Sequence, residues 1–104
     1  MNIKAYQPSE TFKKKLAAEK NGELKAAVIR KSEELTKAII QVSNITDLPY
    51  SLKRASNMHP FRRADVNRDY RIYWWIEERT TLIYEDYCDH KEAEKKYGDA
   101  HNVR

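Results

Sequence analysis

At 104 residues the chain has room for one domain around one core, and 1–104 reads as a single domain. It is 40% hydrophobic and 35% charged, with 20 Lys+Arg against 16 Asp+Glu and a net charge of +4. Apolar residues fall in periodic segments, which excludes a disordered chain, and nothing approaches the roughly 18 consecutive apolar residues a membrane helix needs. The start of the chain carries no secretory pattern, and the single cysteine, Cys88, excludes an intramolecular disulfide and fits a reducing, cytoplasmic setting.

The chain opens on a short strand, Asn2 to Gln7, stopped by Pro8-Ser9, with Ser9 placed to cap the next segment. From Glu10 to Lys20, Phe12 and Leu16 recur at i, i+4 amid lysines, the pattern of a short amphipathic helix. Within it Lys13-Lys14-Lys15 reads as a solvated face. Asn21-Gly22 breaks the pattern. A longer helix is expected from Glu23 to Val42, with Leu24, Val28, Leu35, Ile39 and Val42 on one stripe and charge opposite. The two helices make a hairpin with one apolar seam.

Ser43 to Pro60 has no clear period and holds two of the three prolines, so it reads as an irregular crossing anchored by Leu48 and Leu52. The period then changes to two. Phe61–Val66, Tyr70–Glu77 and Thr81–Cys88 are three successive strands, joined by turns at Asn67-Arg68-Asp69 and Glu78-Arg79-Thr80 short enough for antiparallel hairpins. One conflict stands in the last of them: the phase that buries Leu82 and Tyr84 also carries Asp86 inward, and a bulge or an early strand end would resolve it. Asp89 with Glu92 three residues on forms a capping box for a final helix that runs to Tyr97, where Gly98 ends it. The expected class is α+β, order β-α-α-β-β-β-α, with the helical hairpin packed on a mainly antiparallel four-stranded sheet.

The charge is uneven. From Tyr50 to Ile76 there are six basic residues (Lys53, Arg54, Arg62, Arg63, Arg68, Arg71) against Asp65 and Asp69, while Glu77 to Tyr87 holds four acids against Arg79. On the strand from Tyr70 to Ile76, alternation puts Ile72, Trp74 and Ile76 on the core face and Arg71, Tyr73 and Trp75 on the other. Guanidinium beside tyrosine and indole pairs with phosphate and stacks bases; the plainer reading is a solvated face with Arg71 over a ring. His90 and Tyr97, seven apart, share one side of the last helix, where an imidazole or phenolate beside an RNA phosphate could take the 2′-hydroxyl proton. The plainer reading there is a histidine at a helix start and a tyrosine closing the core. His59 and His101 stand apart, no residues show metal-ligand spacing, and there is no P-loop or nucleophile elbow.

Asp69-Tyr70-Arg71-Ile72-Tyr73 is similar to the "gly-Tyr-Arg-aliphatic-Tyr" strand of the RelE/ParE superfamily of bacterial toxins. His90-Lys91 followed by Tyr97 is similar to that superfamily's C-terminal basic pair and tyrosine, and the resemblance spans nearly the whole chain. It implies a type II toxin of the RelE kind: a ribosome-dependent, metal-independent and cofactor-free endoribonuclease that cuts messenger RNA, inhibits translation and is neutralised by a cognate antitoxin in a hetero-oligomer. It implies further that Arg71 stabilises the developing phosphate charge and that Tyr97 takes part in proton transfer, with His90 as alternative base. Lys91 stands where many members have arginine; it keeps the charge and lacks the planar fork. Arg62, Arg63, Arg68, Tyr73 and Trp75 are the implied RNA-binding residues, Arg62 near the site and Arg63 turned to the opposite face. Two departures concern turns: no glycine follows Leu52-Lys53, and Asp69 replaces the glycine before Tyr70. The alternatives are a ParE-like inhibitor of DNA gyrase and a non-catalytic relative that only binds a partner.

Overall fold

A computed structural model describes residues 2–99. The chain runs β1 (Ala5–Pro8), α1 (Glu10–Ala18), α2 (Gly22–Gln41), a 3₁₀ turn (Ile45–Asp47), α3 (Tyr50–Lys53), β2 (Arg54–Ala55), β3 (Arg62–Asp65), β4 (Tyr70–Glu77), β5 (Thr81–Asp89) and α4 (His90–Tyr97). Both helices of the hairpin start where polar side chains satisfy free backbone donors. Ser9 Oγ accepts from Phe12 N–H at 3.0 Å, and Asn21 Oδ1 accepts from Leu24 N–H at 3.1 Å, so the Asn-Gly break is itself the cap of α2. Leu24, Val28, Leu35 and Ile39 are buried along one stripe of α2, and Val42 packs at its end.

The sheet has five strands in the order β1-β5-β4-β3-β2, not four. The fifth, β2, is two residues long and comes from the segment read as irregular; so short a strand has no period to detect. Leu48 and Leu52 of that segment are buried as expected. β1 lies parallel to β5, with Ala5 opposite Thr81, and all other pairings are antiparallel. On one face α1 and α2 cover Ile72, Trp74, Leu82, Tyr84 and Tyr87. Trp74 is fully enclosed and donates its indole N–H to the Leu52 carbonyl at 2.9 Å.

The Asp86 conflict is resolved by a bulge. Tyr73 pairs with Asp86 but Trp74 with Tyr84, so Glu85 is an extra residue and the phase of β5 flips there. Leu82, Tyr84 and then Tyr87 face the hairpin, while Asp86 shares the opposite face with Tyr73. Ser9 ties the bulge to the start of α1, its hydroxyl donating to the Glu85 carbonyl at 2.6 Å.

The β4–β5 turn places Glu78 (φ 49°) and Arg79 (φ 65°) in the left-handed region, the two-residue geometry that suits the twist of a hairpin. A side chain there costs about 1–2 kcal/mol against glycine. Arg79→Gly, offset partly by the freer unfolded chain, is therefore expected to raise stability by roughly 0.5–1 kcal/mol, read as a higher urea midpoint with unchanged slope. A lower midpoint would show that the Arg79 side chain contributes more than its backbone costs.

Candidate functional site

The second face of the sheet carries Arg71, Tyr73 and Trp75 from β4, as the alternation requires, with α4 laid across it. Asp89 Oδ1 caps α4 by accepting from Glu92 N–H at 2.9 Å, and Gly98 at φ 69° ends it, its N–H reaching the Ala93 and Glu94 carbonyls. Ala93 and Tyr97 point inward. At about 100° per residue His90 lines up with Tyr97, whereas Lys91 is rotated away and is exposed. Tyr97 stacks on Tyr73 with centroids 3.9 Å apart and planes 9° from parallel, and Phe61 meets Tyr97 edge-on at 5.3 Å.

These contacts change what the face can offer. Tyr73 is fully buried, so the base-stacking ring expected of it is already occupied by Tyr97. Trp75 remains half-exposed, its indole N–H donating to Glu85 Oε1 at 3.1 Å. Arg71 is 6% exposed and lies against the Tyr73 hydroxyl. Among the described residues its NH1 nitrogen has no hydrogen-bond partner, and neither has Arg63 Nε. A buried guanidinium with an unused N–H is costly unless a ligand completes it.

The two neighbouring arginines exchange the places expected of them. Arg63 is opposite Tyr73 and shares the site face; Arg62 is opposite Trp74, on the hairpin side, and donates to the Lys53 carbonyl at 2.8 Å. A one-residue difference in register sends every side chain to the other face, and the register here is set by β4. Arg68 is exposed in the β3–β4 turn, His59 is exposed, and His101 lies outside the described residues.

Asp99 belongs to the site and was not anticipated. It is 3% exposed, and its carboxylate accepts from Ser56 Oγ–H at 2.6 Å, Asn57 N–H at 2.6 Å and the Tyr73 hydroxyl at 2.7 Å. Burial pushes its carboxyl up. The Asn57 amide, the Ser56 and Tyr73 hydroxyls and the Arg63 charge outweigh that and hold it below the ordinary aspartate value. The one sequence signal was its position directly after the helix-ending glycine. Burial, and then the Asp99 hydrogen bond, push the Tyr73 phenol well up. Burial, then the Asp86 charge, do the same to Tyr97, which is held as a protonated phenol.

Beside α4 a charge-balanced cluster fixes the helix to α1. Asp86, 2% exposed, sits between Lys15 at 3.1 Å and Lys96 at 3.0 Å, and Glu92 meets the same ammonium groups at 2.7 and 2.9 Å. Lys15 is thus a partly buried link and not part of a solvated face. Asp86, Cys88 and Glu92 offer ligand atoms within 4.8 Å of one another. Both carboxylates are already neutralised by lysines, and burial raises the Cys88 thiol, so this donor set suits ion pairing better than a cation.

No protein-family model and no curated protein matches the sequence. The fold is similar to solved structures of YafQ. A crystal structure of YafQ from E. coli strain BL21(DE3) aligns at 17% identity and a TM-score of 0.57, over 84% of this chain and 93% of that one. The E. coli DinJ–YafQ toxin–antitoxin complex aligns at 16% identity and a TM-score of 0.58, over 88% of this chain and 97% of that one.

Proposed function

We propose that this chain is the toxin of a type II toxin–antitoxin pair and cleaves messenger RNA on the ribosome. The observation that carries the reading is the buried Arg71, whose NH1 has no hydrogen-bond partner among the described residues, on the sheet face that α4 covers with Tyr97. The YafQ-like fold supports it. RNA backbone cleavage needs three services: a base for the 2′-hydroxyl, cationic hydrogen-bond donors for the phosphorane, and an acid for the departing 5′-oxygen. His90 takes the 2′ proton as the 2′-oxygen attacks phosphorus. Arg71 donates to the phosphoryl oxygens as their charge grows. Tyr97, already a protonated phenol, gives its proton to the 5′-oxygen as the P–O5′ bond breaks, leaving a 2′,3′-cyclic phosphate and a 5′-hydroxyl. Arg63 adds charge from β3, while Lys91 and Arg68 are exposed for longer-range attraction of the message.

The partners proposed are ribosome-bound message and a cognate antitoxin, whose acidic surface would match the basic face; the proposed site of action is the cytoplasm. Among the described residues no helix is long and apolar enough to cross a membrane. Primer extension on ribosome-loaded message should give new 5′ ends within a coding region, and intact message would overturn the proposal. A second reading, a binder of DNA gyrase, is favoured by the burial of Tyr73 and Tyr97. Inhibition of gyrase supercoiling with uncut message would select it.

A further inference from the structure

The place that Asp99 occupies is built for an anion. Three donors converge on one carboxylate: the Ser56 hydroxyl, the Asn57 amide and the Tyr73 hydroxyl, at 2.6–2.7 Å. Arg63 contributes its charge, and Arg71 acts on the Tyr73 hydroxyl that Asp99 also binds. The guanidinium groups are not used up by Asp99: Arg71 NH1 and Arg63 Nε have no partner among the described residues. Three neutral donors and the Arg63 charge already face a single carboxylate, and the unused Arg71 and Arg63 N–H groups nearby suit the two non-bridging oxygens of a singly charged phosphodiester. The backbone at Asp99 is lightly held. It follows Gly98, whose left-handed backbone is glycine's to vary, and its own N–H makes only a long bond, 3.4 Å, to the Ala93 carbonyl.

We propose that Ser56, the Asn57 amide, Tyr73, Arg63 and Arg71 form a pocket for a backbone phosphate of RNA, and that Asp99 fills it in the free protein as an internal stand-in which RNA displaces. This rests on the proposed nuclease reading for the identity of the ligand. It adds a binding group from the Ser56-Asn57 loop and a competing carboxylate. The loop and the end of α4 are already coupled, since Asn57 Nδ2 donates to the Gly98 carbonyl at 2.8 Å.

The test uses a short RNA with 2′-O-methyl groups throughout, which binds and is not cut, followed by fluorescence anisotropy. Asp99→Asn should bind it at least about tenfold more tightly, the scale set by hydrogen bonds to a charged group no longer contested. Glu33→Gln, the same change of charge on an exposed position of α2, should leave affinity unchanged. Adding Ser56→Ala to Asp99→Asn should remove most of the gain. In the wild-type protein, amide exchange gives an independent reading: saturating RNA should speed exchange at Asp99 about tenfold or more while Asn57 stays protected. Unchanged affinity in Asp99→Asn, a gain equalled by Glu33→Gln, or RNA binding that leaves Asp99 protected would each overturn the pocket. Tighter binding of the uncuttable RNA by a protein that leaves ribosomal message intact would uphold the pocket and reject the nuclease.

Discussion

Arg71→Ala is expected to lower the single-turnover rate of message cleavage about 10²–10³-fold, while the fold survives. The size is that of removing one preorganised donor from a developing oxyanion, about 2.7–4 kcal/mol. Arg71 is 6% exposed and one of its terminal nitrogens has no partner among the described residues, so the native state gains little from its charge before substrate arrives. Thermal unfolding should therefore move by only a few degrees. Arg71→Lys keeps a charge and loses the planar fork, and should recover only part of the rate. Cleavage within about threefold of wild type in Arg71→Ala would remove Arg71 from the chemistry, whatever its effect on stability.

The largest effect on folding is expected from Trp74→Ala. The indole is fully buried between the sheet and the helical hairpin, and it satisfies the Leu52 carbonyl at 2.9 Å. Truncation empties a large volume and leaves a buried acceptor without its donor, at a cost of roughly 3–5 kcal/mol. A domain of this length has in total roughly 5–15 kcal/mol. Each kcal/mol shifts the melting midpoint by roughly 4–8 °C, so the variant should melt tens of degrees lower or fail to fold at 37 °C. Trp75→Ala, from the next position on the same strand, removes a half-exposed ring on the other face and should cost far less. Equal losses from the two would contradict the strand phase on which the site is built.

That phase was readable because β4 is eight residues long and places Ile72, Trp74 and Ile76 on one face and Arg71, Tyr73 and Trp75 on the other. Helix ends were readable for a similar reason: Ser9, Asp89 and Gly98 each meet a local backbone requirement that leaves a mark in sequence. The α+β class, the helical hairpin and the antiparallel hairpins followed from such local signals. What escaped was set by distant partners. β2 is two residues long and exists only because β3 lies beside it. Arg62 and Arg63 take the faces opposite to those expected because β3 is four residues long and takes its register from β4. Lys15 looked like one solvated lysine among three, and nothing local shows that Asp86, 71 residues on, would be turned to it by a bulge.

The candidate site was half legible. Arg71, His90, Lys91 and Tyr97 stood out by residue type and spacing. The closure of the site did not: Tyr73 stacked on Tyr97 and bonded to Asp99 is a tertiary arrangement, made by laying α4 over the sheet. Ser56 and Asn57 sit in an irregular loop whose sequence has no period, and their role appears only when the end of α4 meets them.

If the proposed cleavage holds, the RNA is cut through attack by its own 2′-hydroxyl. The most direct measurement loads ribosomes with a message, natural or carrying a single 2′-deoxy nucleotide at the scissile position, and follows the 3′ end of the upstream fragment by mass. The natural message should give a 2′,3′-cyclic phosphate, and the deoxy position should not be cut. An intact natural message, or equal cutting of both, would contradict it.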